Sequence, residues 1–312
     1  MNTMKAIRVH THGGPEMLTY ENVPRPQPAP SEVLLQVTGA GVNPADWKTR
    51  AGRGMDTPLP YIPGWDVSGV VEATGSEVTA FAHGDTVLGL VRFPHPGHTY
   101  AQYAAVPAHE VIAKPTSMTA AEAAALPLAG LTAWQGLVET AQLTPGQRVL
   151  VLGAAGGVGH LAVQIAKARG AHVIGTASQG NATFLHDLGV DEVIDYRHTR
   201  IEGRVHDVDV IFNAVSEQTL TPAIRTLRSG GTIVSIAGPL DVESLRARGF
   251  QAHRILVRPE AGQLRELVAL VNTGALRVVV EAIFPLSEAA SAHIVLERGH
   301  VRGKLVLDPT LS

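Results

Sequence analysis

The chain has 312 residues, 45% hydrophobic and 17% charged, with a formal net charge of -3. That length suits two domains with buried cores, and the mild negative charge gives no electrostatic case for nucleic acid or an anionic membrane as partner. The absence of cysteine excludes disulfides and every thiolate nucleophile or metal ligand. Met1 to Lys5 leads straight into a strand-like run with no apolar signal core, and no apolar run approaches the ~18–20 residues of a membrane span, so a cytoplasmic enzyme is expected.

Residues 4–24 read as short strands broken by Gly13-Gly14-Pro15. The run Pro24 to Pro30 excludes helix and central strand, because proline lacks the N–H and fixes φ. It reads as a stiff surface connection rather than a ligand for a proline-binding domain. Glu32 to Val37 is a strand, and Val42 to Lys48 turns into a short helix. Val67 to Ala73, Asp85 to Leu90 and Tyr100 to Val106 are further strands, which together predict a compact β domain.

The texture changes near Thr119, where Thr119-Ala120-Ala121-Glu122 forms a capping box ahead of alanine-rich helix. A second helix is predicted from about Gly130 to Ala141, ending at Pro145-Gly146. Arg148 to Gly175 then reads as strand, glycine turn, helix and strand, a βαβ unit. In its turn, Gly153 and Gly156 permit a tight bend and close approach of a pyrophosphate, and Gly159 lets the helix lie close on the sheet. The turn also includes Ala154, Gly157 and Val158, and the helix start presents N–H groups and a positive dipole end to phosphates. An ordinary tight turn is the competing reading, which the legible strands and helix around it make the weaker one. Strands at 148–152, 171–176, 191–195, 207–212, 231–237 and 253–257 alternate with helices at Asn181 to Leu188, Leu220 to Leu227 and Ala261 to Thr273. That alternation predicts a doubly wound parallel sheet. Val278 to Phe284, Leu286 to Arg298 and Lys304 to Leu307 read as strand, helix and strand, and this tail is expected to close back on the β domain.

Six motifs in order carry a resemblance over nearly the whole chain: Gly39 to Asp46, Ile62 to Gly69, Leu126 to Ala133, Gly153 to Gly159, Gly189 to Tyr196 and Gly303 to Leu307. The chain resembles the medium-chain dehydrogenase/reductase superfamily, and within it the zinc-free quinone oxidoreductases and alkenal/enone reductases. The resemblance implies an α/β fold with a GroES-like β-rich catalytic domain and a Rossmann domain. The boundaries expected are 1–121 for the catalytic domain, 122–274 for the Rossmann domain and 275–312 for the return. It also implies a homodimer, with the sixth strand near His253 to Val257 pairing across a two-fold edge.

Zinc members of this superfamily bind the metal through a Cys, a His and a third Cys or acid. At the matching positions this chain has Asn43, Trp65 and Leu128, none a usual zinc ligand. No metal site is expected. His95-Pro96-Gly97-His98 lacks a third ligand and reads as an exposed turn.

An NAD enzyme usually carries Asp or Glu at the end of the second strand. Here Gly175 to Asn181 has no carboxylate, and Thr176, Ser178 and Asn181 can hydrogen-bond a 2′-phosphate, so NADPH is expected rather than NADH. No Arg or Lys lies in that turn, and positive charge has to come from elsewhere. The resemblance places Tyr196 against the adenine or phosphate edge, with a strand-end core tyrosine as the competing reading. It implies contact of Thr132 with the nicotinamide or a phosphate. Asn213-Ala214-Val215 and Ile236-Ala237 end strands, where a parallel sheet places its ligand, and their backbone groups are candidates for the carboxamide. Lys304 is a candidate cofactor contact from the return.

Without a Lewis acid, hydride addition is best served by acceptors that delocalise the resulting charge, such as quinones and α,β-unsaturated carbonyls. The protein must then supply donors near the developing oxyanion. Asn43 is the first candidate, against a turn-forming role before Pro44. Lys48, where many quinone reductases have tyrosine, is the second; a lysine there resembles the alkenal/enone reductases, and a solvated helix lysine is the competing reading. Asp46 reads as structural, and Trp47 and Trp65 as pocket walls or core. No proton donor declares itself. The expected function is NADPH-dependent reduction of a small-molecule quinone or enone. An enoyl-thioester reductase and an NADPH-binding redox sensor or structural protein are the alternatives.

Overall fold

Short apolar strands separated by turn residues form a β-rich unit in the computed structural model, which describes residues 2–311. This unit comprises Met1–Leu131, Arg258–Val268 and Val278–Ser312, and the second unit comprises Thr132–Val257 and Ala269–Arg277. The first begins with β1 (Thr3–Val9) and β2 (Leu18–Pro24), an antiparallel pair. There follow β3 (Glu32–Val42), α1 (Pro44–Arg50), β4 (Asp66–Thr74), β5 (Thr86–Leu90), β6 (Tyr103–Pro107), β7 (Val111–Ala113) and α2 (Ala120–Ala125). The predicted capping box holds: Thr119 Oγ1 accepts from the Glu122 N–H at 3.2 Å, and Glu122 Oε2 accepts from the Thr119 N–H at 2.8 Å.

In place of the helix predicted from Gly130, α3 (Pro127–Trp134) starts three residues earlier, since proline at a first helical position has no N–H to lose. Gln135–Thr140 then widens into a π-helical turn, with Ala141 N–H bonded to Gly136 O at 3.0 Å.

The second unit is the parallel sheet read from the sequence. It contains β8 (Arg148–Leu152), α4 (Gly159–Ala168), β9 (His172–Ala177), α5 (Ala182–Asp187), β10 (Glu192–Asp195), β11 (Val208–Asn213), α6 (Glu217–Ala223), β12 (Leu227–Ser235), α7 (Val242–Ala247) and β13 (Gln251–Arg254). The strand order is β10-β9-β8-β11-β12-β13, the doubly wound arrangement in which the order reverses beside β8. Its core is built from Leu150, Ile174, Ile211, Ile233 and Ala252 on the strands, with Leu220 and Leu245 from the helices. The helix predicted at Leu220 to Leu227 lies earlier, because Ser216 caps its start and Pro222 sits inside it. Helix α7 was not predicted; Asp241 caps it, accepting from Ser244 N–H at 2.9 Å.

The chain ends with α8 (Ala261–Asn272), β14 (Val280–Pro285), α9 (Ala289–Arg298) and β15 (Lys304–Asp308). As expected, the return joins the β-rich unit: β15 lies between β14 and β3 in the order β14-β15-β3-β4-β5-β7, with Leu305, Val306 and Leu307 paired antiparallel to Val42, Gly41 and Ala40. Leu305 and Leu307 join Ile7, Val33, Leu35, Val67 and Val71 in one core.

Two glycines let β3 approach α2. A Cβ on Gly39 would stand 2.9 Å from Ala124 Cβ, and one on Gly41 would stand 2.4 Å from Ala124 O and 2.7 Å from Asp66 Oδ2. Backbone cannot yield that far without moving the helix. Gly41→Ala is expected to destabilise the protein by about 1–3 kcal/mol or more, as overpacking does. Urea unfolding checks this, and wild-type stability in the variant would contradict it.

Candidate active site

The β-rich unit holds a buried cluster where β3, β4, α3 and β15 meet. Asn43, Asp46, Asp66 and Lys304 are each no more than 3% exposed. Asn43 follows β3 in an extended conformation and caps α1, its own N–H donating to Asp46 Oδ2 at 2.7 Å. Its side-chain Nδ2 donates to Asp66 Oδ2 at 2.8 Å. Its Oδ1 accepts from the Lys304 ammonium, which also donates to Val42 O at 3.1 Å and lies 3.6 Å from Asp66 Oδ2. The other Asp66 oxygen accepts from the Leu128 N–H at 2.6 Å.

Burial pushes Asp66 up and Lys304 down, and the attraction between them opposes both shifts. With donors from Leu128 and Asn43 also on the carboxylate, the pair stands as carboxylate and ammonium. Asp46 is different. Burial, aided by the Asp66 charge, pushes it up to about 7 against the Asn43 N–H and the Lys304 charge. Its Oδ1 is buried without a hydrogen-bond partner. Tyr100 and Tyr61 lie nearby, both held above the ordinary phenol range chiefly by burial. Further along, Tyr100 OH meets His293 Nε2 at 3.3 Å, and Arg50, 1% exposed, pairs with Glu297 at 2.7 Å.

Lys48 lies on the exposed side of α1, its Nζ 5.7 Å from the Trp47 ring centroid, and Arg53 approaches the same ring at 5.6 Å. Trp47 is half-buried. Trp65 is core: it is 3% exposed, meets Phe93 edge-on at 5.2 Å and donates from Nε1 to His95 O at 2.7 Å.

In the second unit, Gly153 adopts φ of +76° as the chain leaves β8, a conformation that favours glycine. A Cβ on Gly159 would lie 2.1 Å from Gly153 O, so only glycine fits under the turn. Thr176 supports the turn from beneath: its Oγ1 accepts from Gly153 N–H at 3.1 Å, and its carbonyl accepts from Ala154 N–H at 3.0 Å. Ala154 is buried, while Gly156, Gly157 and Val158 are half-buried at the start of α4. This is a cradle shaped for a pyrophosphate at a helix N-terminus.

A cleft of about 330 Å³ opens beside it, lined by Thr176, Tyr196, Arg200, Glu202, Gln218 and Thr219 among others. Tyr196 is 49% exposed there, which sets aside the core reading of that residue. Ser178 and Asn181 pair with each other, Nδ2 to Oγ at 3.2 Å, at the turn after β9. Asn213 is buried and donates from Nδ2 to Ser235 Oγ at 3.0 Å and Ser216 O at 3.2 Å, while its Oδ1 accepts from Val215 N–H at 3.2 Å. Ala214, Ile236 and Ala237 are half-buried just past the strand ends, and Val215 is exposed. Thr132 is buried in α3. Sequence reasoning missed Arg200, although a cation was sought for this end of the sheet. It also missed Asp66 as the hub of the buried cluster.

Residues 29–116 match the alcohol dehydrogenase GroES-like domain, and residues 188–307 match a family described as zinc-binding dehydrogenase. Over 98% of the chain it is 35% identical to a 2-methylene-furan-3-one reductase of Solanum lycopersicum, covering 79% of that protein. It is 36% identical to the chloroplastic NADPH-dependent alkenal/one oxidoreductase of Arabidopsis thaliana, covering 98% of this chain and 80% of that protein. The quinone oxidoreductase structure from Coxiella burnetii superposes with a TM-score of 0.92 at 37% identity, over 98% of this chain and 99% of that one. The chain therefore belongs to the medium-chain dehydrogenase/reductase superfamily, in its branch of quinone oxidoreductases and alkenal/one reductases. It is an oxidoreductase.

The zinc named in the family description does not fit the residues present. Asn43 has its amide oxygen on an ammonium, the Trp65 N–H is bonded to His95 O, and Leu128 offers only its backbone N–H. A metal ion here would face the buried charge of Lys304. Among the described residues no group of three or more His, Cys, Asp or Glu could hold a metal.

The Asp46 proton gives a pH dependence with a definite sign. Between about pH 4 and 7 the unfolded carboxyl is ionised while the folded one keeps its proton, so stability falls as pH rises through that window and levels off above it. The full effect is on the order of 4 kcal/mol. Asp46→Asn retains an acceptor for the Asn43 N–H and removes the titration. Urea unfolding from pH 5 to 8 should show a flatter profile and a more stable variant at pH 8; an unchanged slope would contradict this.

Proposed function

We infer that this enzyme is an NADPH-dependent reductase of quinones and α,β-unsaturated carbonyls that works without a metal. The observation carrying the inference is a glycine cradle beside a cleft that offers Arg200 and Tyr196, together with the lack of an acidic residue at the end of β9; Glu202 is the one carboxylate on the cleft wall. The cofactor residues proposed are those of the cradle, Gly153, Ala154, Gly156, Gly157 and Val158, with Tyr196 and Arg200 in the cleft. A ribose 2′-phosphate suits a guanidinium and a phenol hydroxyl, whereas a carboxylate at the end of β9 would repel it. Ser178 and Asn181 add neutral hydrogen-bonding groups at the turn. Asn213 to Val215, Ile236 and Ala237 are proposed to meet the nicotinamide end through backbone groups, together with Thr132.

NADPH, when bound, supplies the hydride. The chain's own residues orient the acceptor and stabilise the charge that develops on its oxygen. Lys48 is the residue proposed for that oxygen, since it is an exposed ammonium beside an indole face on α1. Asn43 is proposed to act from within, because both ends of its amide are engaged by Asp66 and Lys304. An enolate or hydroquinone anion needs less stabilisation than a simple alkoxide, which matches a site offering a lysine in place of a metal.

The reading includes a homodimer and a cytoplasmic location. The dimer is supported by β13, which stands at the edge of its sheet, and by Leu256 beyond it, 59% exposed. For location, no helix among the described residues is long and apolar enough to cross a membrane.

Steady-state NADPH oxidation with a simple vinyl ketone, a quinone and saturated carbonyls tests the activity. Turnover of the first two with none of the third is expected, and Lys48→Ala should lower kcat/KM for the vinyl ketone on the order of 10²-fold. Tight NADPH binding with no turnover of either acceptor would overturn the reading.

A further inference from the structure

Lys304 carries a charge that the fold encloses almost completely, and burying an ammonium costs several kcal/mol unless its hydrogens are matched. An ammonium has three N–H donors. Three oxygens surround this one, Val42 O, Asn43 Oδ1 and Asp66 Oδ2, and all belong to the β-rich unit. Val42 O and Asn43 Oδ1 each accept a hydrogen from it, and the Asp66 carboxylate faces its charge at 3.6 Å.

The same contacts fix the Asn43 amide in one orientation, its oxygen toward the cation and its nitrogen toward the carboxylate. Asp66 passes the constraint to α3 through the Leu128 N–H. Asn43 passes it to α1, because its backbone N–H is half of the cap that starts that helix. One cation thus ties the end of β3 to the starts of β15, β4, α3 and α1.

We propose that Lys304 is a positioning residue of the reaction, an internal cation that holds Asn43 and Asp66 and, through them, the helix that presents Lys48. The effect on turnover rests on the reading of Lys48 given above; the effects on folding and cofactor binding do not. The cluster does from within the chain what a bound cation does elsewhere, drawing several segments onto one charge.

The test compares Lys304→Met, Asp66→Asn and the double variant with wild type in thermal unfolding, NADPH titration and vinyl-ketone kinetics. Lys304→Met leaves Asp66 buried without its cation, so the unfolding midpoint should fall by roughly 5–15 °C. Its kcat should fall about tenfold or more while NADPH affinity stays within about threefold. Removing both charges should restore at least half of the lost midpoint but not kcat, because the Asn43 oxygen would still lack its donor. If Lys304→Met does not fold, the double variant should still be more stable than Asp66→Asn alone. A wild-type midpoint with NADPH affinity weakened tenfold or more would overturn the proposal and make Lys304 a cofactor contact. Strictly additive midpoints would also overturn it. Wild-type failure to turn over the vinyl ketone would instead sink the functional reading, leaving the stability and binding comparisons to decide the role of Lys304.

Discussion

The ion pair between Lys304 and Asp66 is the interaction on which the catalytic unit depends. It is buried on both sides, 3% and 0% exposed, and such a pair is tolerated only when its remaining hydrogen-bonding capacity is met. Asn43, Val42 O and the Leu128 N–H meet it. The glycine at position 41 follows from this, because a side chain there would strike Asp66 and α2 together. So does the state of Asp46. With one cation already matched by Asp66, a second buried carboxylate has no full counter-charge and keeps its proton to near neutrality.

The nucleotide-binding unit solves a different problem with backbone rather than charge. Its turn must bring main-chain N–H groups up to a polyanion, and any side chain at Gly159 would displace the strand exit at Gly153. Thr176, read from sequence as able to hydrogen-bond a phosphate, accepts from the Gly153 N–H at the underside of that turn. Arg200, four residues beyond Tyr196, lines the same cleft, as does Glu202. On the proposed reading, cofactor preference rests on what the end of β9 omits and on what the segment after β10 supplies.

Much of this was legible in the sequence because it is local. The period-two apolar runs, the capping box at Thr119 and the glycine turn each signal themselves within ten residues. The return of Lys304 to Leu307 onto the β domain was legible by resemblance, but its consequence was not. Lys304 meets Asn43 across a separation of 261 residues, and no sequence pattern announces that a lysine will bury its charge. The short helix α7 escaped because it has too few turns to show a period, although Asp241 is a standard cap. The π-helical turn at Gln135–Thr140 escaped because its residues read as ordinary α-helix.

On the proposed reading, this site works on the chain's own buried cation and not on a metal. Metal analysis of the purified enzyme, made on the sample whose vinyl-ketone reduction is being followed with and without a strong chelator, tests that claim most directly. Far less than one zinc per chain and a rate indifferent to the chelator are expected. One zinc per chain, with activity that disappears on chelation and returns on adding the metal, would contradict it.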